Sequence, residues 1–291
     1  DVSQFEPNTV QESQNTMNTL LYKLNIMKIY ERRFVEMSYF RELFHGVQAK
    51  ATIGFNKRFP LENNSEFTIW QQMERVYTPN TSPLYFSAHE ALLFQLDVYF
   101  NFKQNYELLD GKKSNYSSRY PQLNVRFTKG IENILGSDVN FDKLEMTIRD
   151  EFAVGKVGES RYHVSGGTYF NNKLLGIADY TFFNGNEIFM SFSYLQHYQL
   201  TKYYEFYTNK AYLKTFYEHH FKGGILQKVP AIKELKWQLV TGFNTFYVDK
   251  NLYYGEYVIG FENIFRLARL DFVHSFTDTK RWGVKLGFNF K

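Results

Sequence analysis

The chain has 291 residues, no cysteine, and a formal net charge of +4 at neutral pH, from 34 Lys and Arg against 30 Asp and Glu. The missing thiols exclude disulfides, thiolate metal sites and cysteine redox chemistry, and the basic residues are scattered among acidic ones, so nucleic acid is not an expected partner. Mean hydropathy is −0.44, and no apolar run approaches the roughly 18 residues that a spanning helix needs, which excludes a helical membrane protein.

In chain order, Asp1 to Asn18 is rich in Gln, Asn, Ser and Thr, has no apolar period, and reads as a loop or tether. Leu20 to Tyr30 is a candidate strand. Phe34 to Phe44 is a clearer one, with Val35, Met37, Tyr39 and Leu43 on one face and Arg41 breaking that face. His45 and Gly46 turn the chain into Val47 to Asn56, where Val47, Ala49, Ala51, Ile53 and Phe55 alternate with Gln48, Lys50, Thr52, Gly54 and Asn56. Lys57 to Glu90 is long and mixed, with Glu66 to Val76 either a strand or part of a loop. In Ala91 to Lys103, Leu92, Phe94, Leu96, Val98, Phe100 and Phe102 face one way, against Gln95, Asp97, Tyr99, Asn101 and Lys103. Further strands are expected at Gln122 to Thr128, Leu144 to Val154, Tyr162 to Phe170, Tyr212 to Phe221, Lys236 to Val248, Tyr253 to Glu262 and Leu267 to Thr277.

The last stretch, WGVKLGFNFK, alternates strictly: Trp282, Val284, Leu286, Phe288 and Phe290 on one side, Gly283, Lys285, Gly287 and Asn289 on the other. Large apolar residues on one face and small polar ones on the other suit a wall between lipid and a polar lumen, and the 23 Tyr and 30 Phe suit rings at two membrane interfaces. The expected fold is therefore all-β, an antiparallel transmembrane β-barrel of ten to twelve strands or the C-terminal part of a larger one, with 1–19 as tether and 20–291 as barrel. The stretch resembles the C-terminal recognition strand of bacterial outer-membrane barrels, whose final aromatic is read by the barrel-assembly machinery; that resemblance implies the machinery and outer-membrane lipid as partners. A chain that opens at Asp1 without a signal peptide, yet must be exported, reads as a fragment or processed part of something longer.

If the last strand ends in the periplasm, counting back along the hairpins puts Asp278 to Arg281, Asp249 to Asn251, Asn171 to Lys210 and Gly130 to Asn140 outside. Asn263 to Arg266, Lys222 to Leu235 and Gly155 to Glu159 then fall inside, as does His45-Gly46 provided Glu66 to Val76 belongs to a loop. Gln104 to Tyr120 fits poorly, as a long inner turn.

Among polar constellations, Glu218 and His220 share one face of their strand, and Arg269 and Asp271 share one face of theirs. They read either as a lumen network pinning the long outer loop or as ordinary solvated lumen charges. His219 and His220 are neighbours on a strand, point to opposite faces and cannot share a metal ion, so no metal and no cofactor is expected. Ser275 and His274 likewise face apart, no Gly-x-Ser-x-Gly occurs, and Ser165-Gly166-Gly167 suits strand bending, so an enzyme is not expected. Gly223 to Leu235, with Lys222, Lys228, Lys233 and Lys236 around apolar residues, is either a docking surface for a periplasmic partner or an inner turn resting at the membrane interface.

The phrases SRYPQLNVRFTKGIENILGSDVNFDKL (Ser118 to Leu144), DYTFFNGNE (Asp179 to Glu187), FYEHHFKGGILQKVPAIKELKW (Phe216 to Trp237) and GFENIFRLARLDFV (Gly260 to Val273) resemble a family of outer-membrane proteins of Bacteroidota, of unknown function, in which a carboxypeptidase-regulatory-like domain precedes a barrel. Arg269-x-Asp271 is similar, more distantly, to a phrase in the penultimate strand of the BamA-like superfamily of barrel-assembly and two-partner-secretion transporters. There an Arg-Gly motif sits in a long outer loop folded into the lumen. At the matching place this chain has Asn184-Gly185-Asn186, without Arg-Gly, so that loop lock does not carry over as such. Together the resemblances imply a barrel in the outer membrane of a Gram-negative bacterium that transports or assembles polypeptide or lipid, with periplasmic or outer-membrane protein partners. The other expectation is a structural barrel that anchors a periplasmic domain and displays outer loops.

Overall fold

The structure is a computed structural model that describes residues 1–7, 9–61, 67–69, 85–109, 112–115, 118–191, 194–222, 226, 230–277 and 281–288. The chain is all-β around one large sheet. It opens with β1 (Val2–Gln4) and helix α1 (Glu12–Tyr22), then runs through β2 (Ile29–Phe44), β3 (Val47–Pro60) and β4 (His89–Asn101). A separate hairpin, β5 (Tyr106–Leu109) and β6 (Lys112–Asn115), precedes β7 (Gln122–Ile131), β8 (Asn140–Val154) and β9 (Gly158–Leu174). The long connection after β9 holds a 3-10 turn (Ile177–Asp179) and the short β10 (Thr181–Phe183), β11 (Met190–Ser191) and β12 (Phe206–Thr208). The chain ends with β13 (Tyr212–Phe221), α2 (Pro230–Lys233), β14 (Gln238–Asp249), β15 (Leu252–Ile264), β16 (Ala268–Ser275) and β17 (Trp282–Phe288).

Thirteen strands form the main sheet in the order β1-β2-β3-β4-β7-β8-β9-β13-β14-β15-β16-β17-β11. Apart from β1 and β11, three and two residues long, these are eleven long strands, each antiparallel to its neighbours. β2 and β17, the first and last of the eleven, do not pair with each other among the described residues, so the sheet is open there. The connections fall at the two ends of the sheet, and each end has short and long members. The β2–β3, β8–β9 and β15–β16 turns, with the β5–β6 hairpin and the α2 segment, lie at one end, here the turn end. Residues 1–28 and the connections after β3, β7, β9, β14 and β16 lie at the other, the loop end.

Side-chain alternation decides what each face meets. Val35 and Met37 on β2, Ile53 on β3, Met146 on β8, Phe243 on β14, Ile259 on β15 and Phe272 on β16 all point outward and stay exposed. Asn56, Asp97, Glu218, Asn244, Glu256, Arg269, Asp271 and Lys285 point to the other face and are buried. The sheet curls about that polar face. One cavity of about 590 Å³ is lined by Arg32, Arg58, Gln95, Arg126, Glu145, Ser165 and Lys214, which come from seven successive strands. Laid flat, those strands would span roughly 29 Å, too far to meet around one such space.

The opening residues are folded onto this concave side instead of forming a free tether. Phe5, Val10, Ile26, Met27 and Tyr30 share an apolar cluster with Ile177, Phe182 and Tyr204 of the long loop. Leu20 to Tyr30 is not a strand along its length: α1 runs to Tyr22, and β2 starts only at Ile29. The helix lacks an apolar stripe because polar bonds hold it; Asn15 Oδ1 accepts the backbone N–H groups of Ile26 and Met27, both at 2.9 Å. Asn171 to Leu174 extend β9 rather than belonging to the loop, and the awkward Gln104 to Tyr120 turn carries the β5–β6 hairpin. The Glu66 to Val76 reading and Phe290 fall largely or wholly outside the described residues.

Candidate functional site

The loop between β9 and β13 lies across the inner face of β13–β17, and four wall residues hold it. The first is Glu256, which alternation on β15 aims inward beside Tyr254 and Val258. It is fully buried, and four donors converge on its carboxylate. Oε1 accepts Gln199 N–H at 2.7 Å and Asn244 Nδ2 at 2.7 Å; Oε2 accepts Tyr254 O–H at 2.7 Å and Leu200 N–H at 3.2 Å. Two of these donors are loop backbone, so the carboxylate fixes the chain path at Gln199-Leu200 and not merely a side chain.

The second is Arg269, and here the four residues singled out from sequence as a lumen network come together. Arg269 Nε donates to both Asp271 oxygens at 2.9 Å, and its Nη2 donates to Glu218 Oε1 at 2.6 Å. His220 continues the chain, 3.5 Å from Glu218 Oε2 and 3.0 Å from Glu262 Oε2. The loop closes the arrangement by laying the Tyr194 ring over the guanidinium, 3.7 Å from Cζ to the ring centroid. Glycines make the room. A Cβ at Gly287 would stand 2.0 Å from the Tyr194 hydroxyl, and one at Gly260 would stand 1.9 Å from Asp271 Oδ1. Burial, with the Asp271 carboxylate nearby, pushes the Tyr194 hydroxyl well above the usual phenol range.

Lys285 and Arg58 complete the hold. Lys285 Nζ donates to the carbonyls of Asn186, at 2.7 Å, and Ile188, while β11 pairs parallel with β17 through Met190–Leu286 and Ser191–Gly287. Across the concavity on β3, Arg58 forms a fork with Asp179, at 2.7 and 2.8 Å, and both side chains are buried. Asn184-Gly185-Asn186 sits between these anchors. Asn184 O accepts Tyr198 N–H at 2.8 Å, Gly185 bridges to Tyr198, and the buried Asn186 donates to Gln199 Oε1 at 3.1 Å. Tyr198 fills an aromatic cluster with Phe183, Tyr212, Phe216, Phe246 and Tyr254. From the opening segment, Thr9 donates to Asn184 Oδ1 at 3.0 Å, and its carbonyl lies 3.0 Å from His197 Nε2. Burial holds His197 below the ordinary imidazole value and raises the carboxyl of Glu6.

Trp282, Val284, Leu286 and Phe288 of the last strand do share the outward face, with Lys285 and Gly287 on the inner one. His219 and His220 point apart, and His219 turns outward, where Nδ1 lies 2.8 Å from Ser160 Oγ, itself 3.1 Å from the Tyr217 hydroxyl. Among the described residues His219 Nε2 has no hydrogen-bond partner. Sequence reasoning missed Glu256, Tyr194 and the Arg58–Asp179 fork. The signal for Glu256 was present: with Glu262 it is one of two acids at inward positions of β15, flanked there by Tyr254, Val258 and Gly260.

Residues 1–261 match the family model of the C-terminal domain of a family of unknown function, DUF5686, and the chain belongs to that family. None of the curated proteins compared with the chain matches it.

Proposed function

We propose that this member of the family forms part of the wall of an outer-membrane β-barrel whose lumen is plugged by its own loop, and that the barrel moves or inserts polypeptide or lipid when the loop is released. The observation that carries the reading is the reversal of polarity across a single sheet. Eleven long strands keep bulky apolar side chains exposed on one face and charged ones buried on the other, the arrangement required between lipid and a polar lumen. No helix among the described residues is long and apolar enough to cross a membrane. Barrel strands need only about 9–11 residues, and most of these strands have that or more.

The release step is motivated by how the loop is held. Its anchors on β15–β17, at Glu256, Arg269 and Lys285, are polar and separable from one another, whereas the wall strands are joined by continuous ladders. The Arg269-x-Asp271 phrase and its likeness to the BamA-like transporters support the same reading with altered chemistry. In this chain the wall supplies the arginine, and the loop supplies an aromatic ring and backbone N–H groups. The outward Trp282, Val284, Leu286 and Phe288 are the face through which the assembly machinery would read the last strand.

The test is planar-bilayer conductance of the full-length protein, with and without residues 175–210. Stepwise openings that enlarge on deletion are expected. Silence in both forms, with folding and insertion shown independently, would remove the transport role and favour a structural barrel that anchors a periplasmic domain. The density of anchors on the loop speaks for that second reading.

A further inference from the structure

The two edges of the sheet run the same way. β2 passes from the loop end to the turn end, and so, after ten alternations, does β17. Direct closure between them would therefore be parallel, unlike the antiparallel pairing between all the other long strands. The β2 edge is also open. From Arg33 to Arg41 it takes no strand partner on the side away from β3 among the described residues, although hydrocarbon tolerates no open sheet edge. Its inner face lacks cover as well: Phe34 is 44% exposed, while Asn56, its register partner one strand in, is 2% exposed. Phe40 follows on the same face and is also exposed.

At the loop end the edge already carries a strand. β1 pairs antiparallel with it, Val2 opposite Glu31 and Gln4 opposite Ile29, and Arg32 N–H donates to the Asp1 carbonyl at 2.8 Å. Extending that register toward the turn end lays a strand directly along Arg33 to Arg41. A second copy cannot supply it. Inserted in the same orientation, a copy offers only its own β2 and β17 edges, and both run parallel to this one.

We infer that the free edge of β2 receives a membrane-spanning strand from the same polypeptide, outside residues 1–291, antiparallel to β2 and continuing β1, and that the strands added between β2 and β17 are odd in number. The inference rests on the barrel reading. Eleven plus an odd number gives the even total of bacterial single-chain barrels. The added strand presents large apolar residues outward beside Val35, Met37 and Tyr39, and on its inner face it covers Phe34 and Phe40.

The test places a benzophenone side chain at Phe40, facing inward, in the full-length polypeptide in outer membranes, with a second variant carrying it at Leu96, facing outward on β4. Peptide mapping of the Phe40 product is expected to show a cross-link within one polypeptide to residues outside 1–291, with no dimer band, while the Leu96 probe labels lipid. With Leu96 labelling lipid, a Phe40 cross-link to Gly283 through Gly287 would show direct closure and overturn the inference. A dimer product, or a Phe40 probe that finds no protein, would also overturn it. Failure of the Leu96 probe to reach lipid would sink the barrel reading, and the strand inference with it.

Discussion

Replacing Glu256 with Gln tests whether the loop is held where the geometry places it. The carboxylate takes four donors on two oxygens, so an amide must turn its NH2 toward one of the two donor pairs. Facing Gln199 N–H and Asn244 Nδ2 would set donor against donor twice. Facing Leu200 N–H and Tyr254 O–H costs less, because the phenol can rotate and accept. Even then the Leu200 bond is lost, and the charge assistance to the others disappears. With hydrogen bonds to charged groups contributing about 1.5–3 kcal/mol each, the seating of the loop weakens by about 2–3 kcal/mol. That corresponds to roughly 30- to 150-fold faster opening-limited exchange. The assay is amide hydrogen exchange in lipid bilayers, read at Gln199 and Leu200, with the β3 and β4 amides as internal reference. Exchange within about two-fold of wild type at those two amides would refute the anchor, given the size expected of a charged hydrogen bond. Equal acceleration across β3 and β4 would show that the wall had loosened and not the loop.

Leu96→Arg puts a charge on the outward face near mid-strand and is expected to cost about 2–4 kcal/mol in denaturant titrations in lipid; a neutral effect would contradict the outward assignment. Tyr194→Ala should lose the ring over Arg269 and weaken the loop by about 1–2 kcal/mol, whereas Tyr194→Phe keeps it, read as protection at Leu195. His197, buried beside the Thr9 carbonyl, has its proton affinity lowered in the seated loop. The released loop therefore binds more protons once pH falls below the ordinary imidazole value near 6.5, so seating is fully present above that value and weakens as pH drops from 7.5 toward 5.5. Protection factors corrected for intrinsic exchange should fall over that range, and the fall should be smaller in His197→Gln; identical profiles would remove His197 from the linkage. The raised carboxyl of Glu6, pushed up by burial, acts in the opposite sense and favours the seated loop as pH falls.

The wall was legible in the sequence because a period of two is written locally. β13 was bounded at Tyr212 and Phe221 from alternation alone, and the faces of β3, β4 and β17 follow the sequence order without slippage. α1 was not legible, since no apolar stripe marks it; its order comes from Asn15 bonding to Ile26 and Met27 and from Gln14 donating to the Tyr203 hydroxyl of a loop 189 positions away. The site divides along the same line. Glu218, His220, Arg269 and Asp271 announced themselves as polar residues paired on inward positions, but what they hold did not. Tyr194 and the N–H groups of Gln199 and Leu200 lie in a segment without period, and only the fold brings them to the wall.

The placement of the anchors shows what the loop does to the sheet. Arg58–Asp179 ties the loop to β3, and Glu256, Arg269 and Lys285 tie it to β15, β16 and β17, so the same segment grips the wall on both sides of the concavity. A loop fixed on one side only would cap the interior and leave the curl free. Fixed on both, it acts as a crossbar and limits how far β3 and β17 can move apart. Truncating one member of the fully buried Arg58–Asp179 pair strands a charge, a loss of about 3–5 kcal/mol, so that end behaves as the fixed one. The opposite end combines hydrogen bonds to Glu256, a cation–ring contact and the two-residue pairing of β11 with β17, each separable from the others. If the loop is released as proposed, the expected order is that it parts from β15–β17 first and swings on the β3 anchor, away from β17, whose far side carries only the two-residue β11.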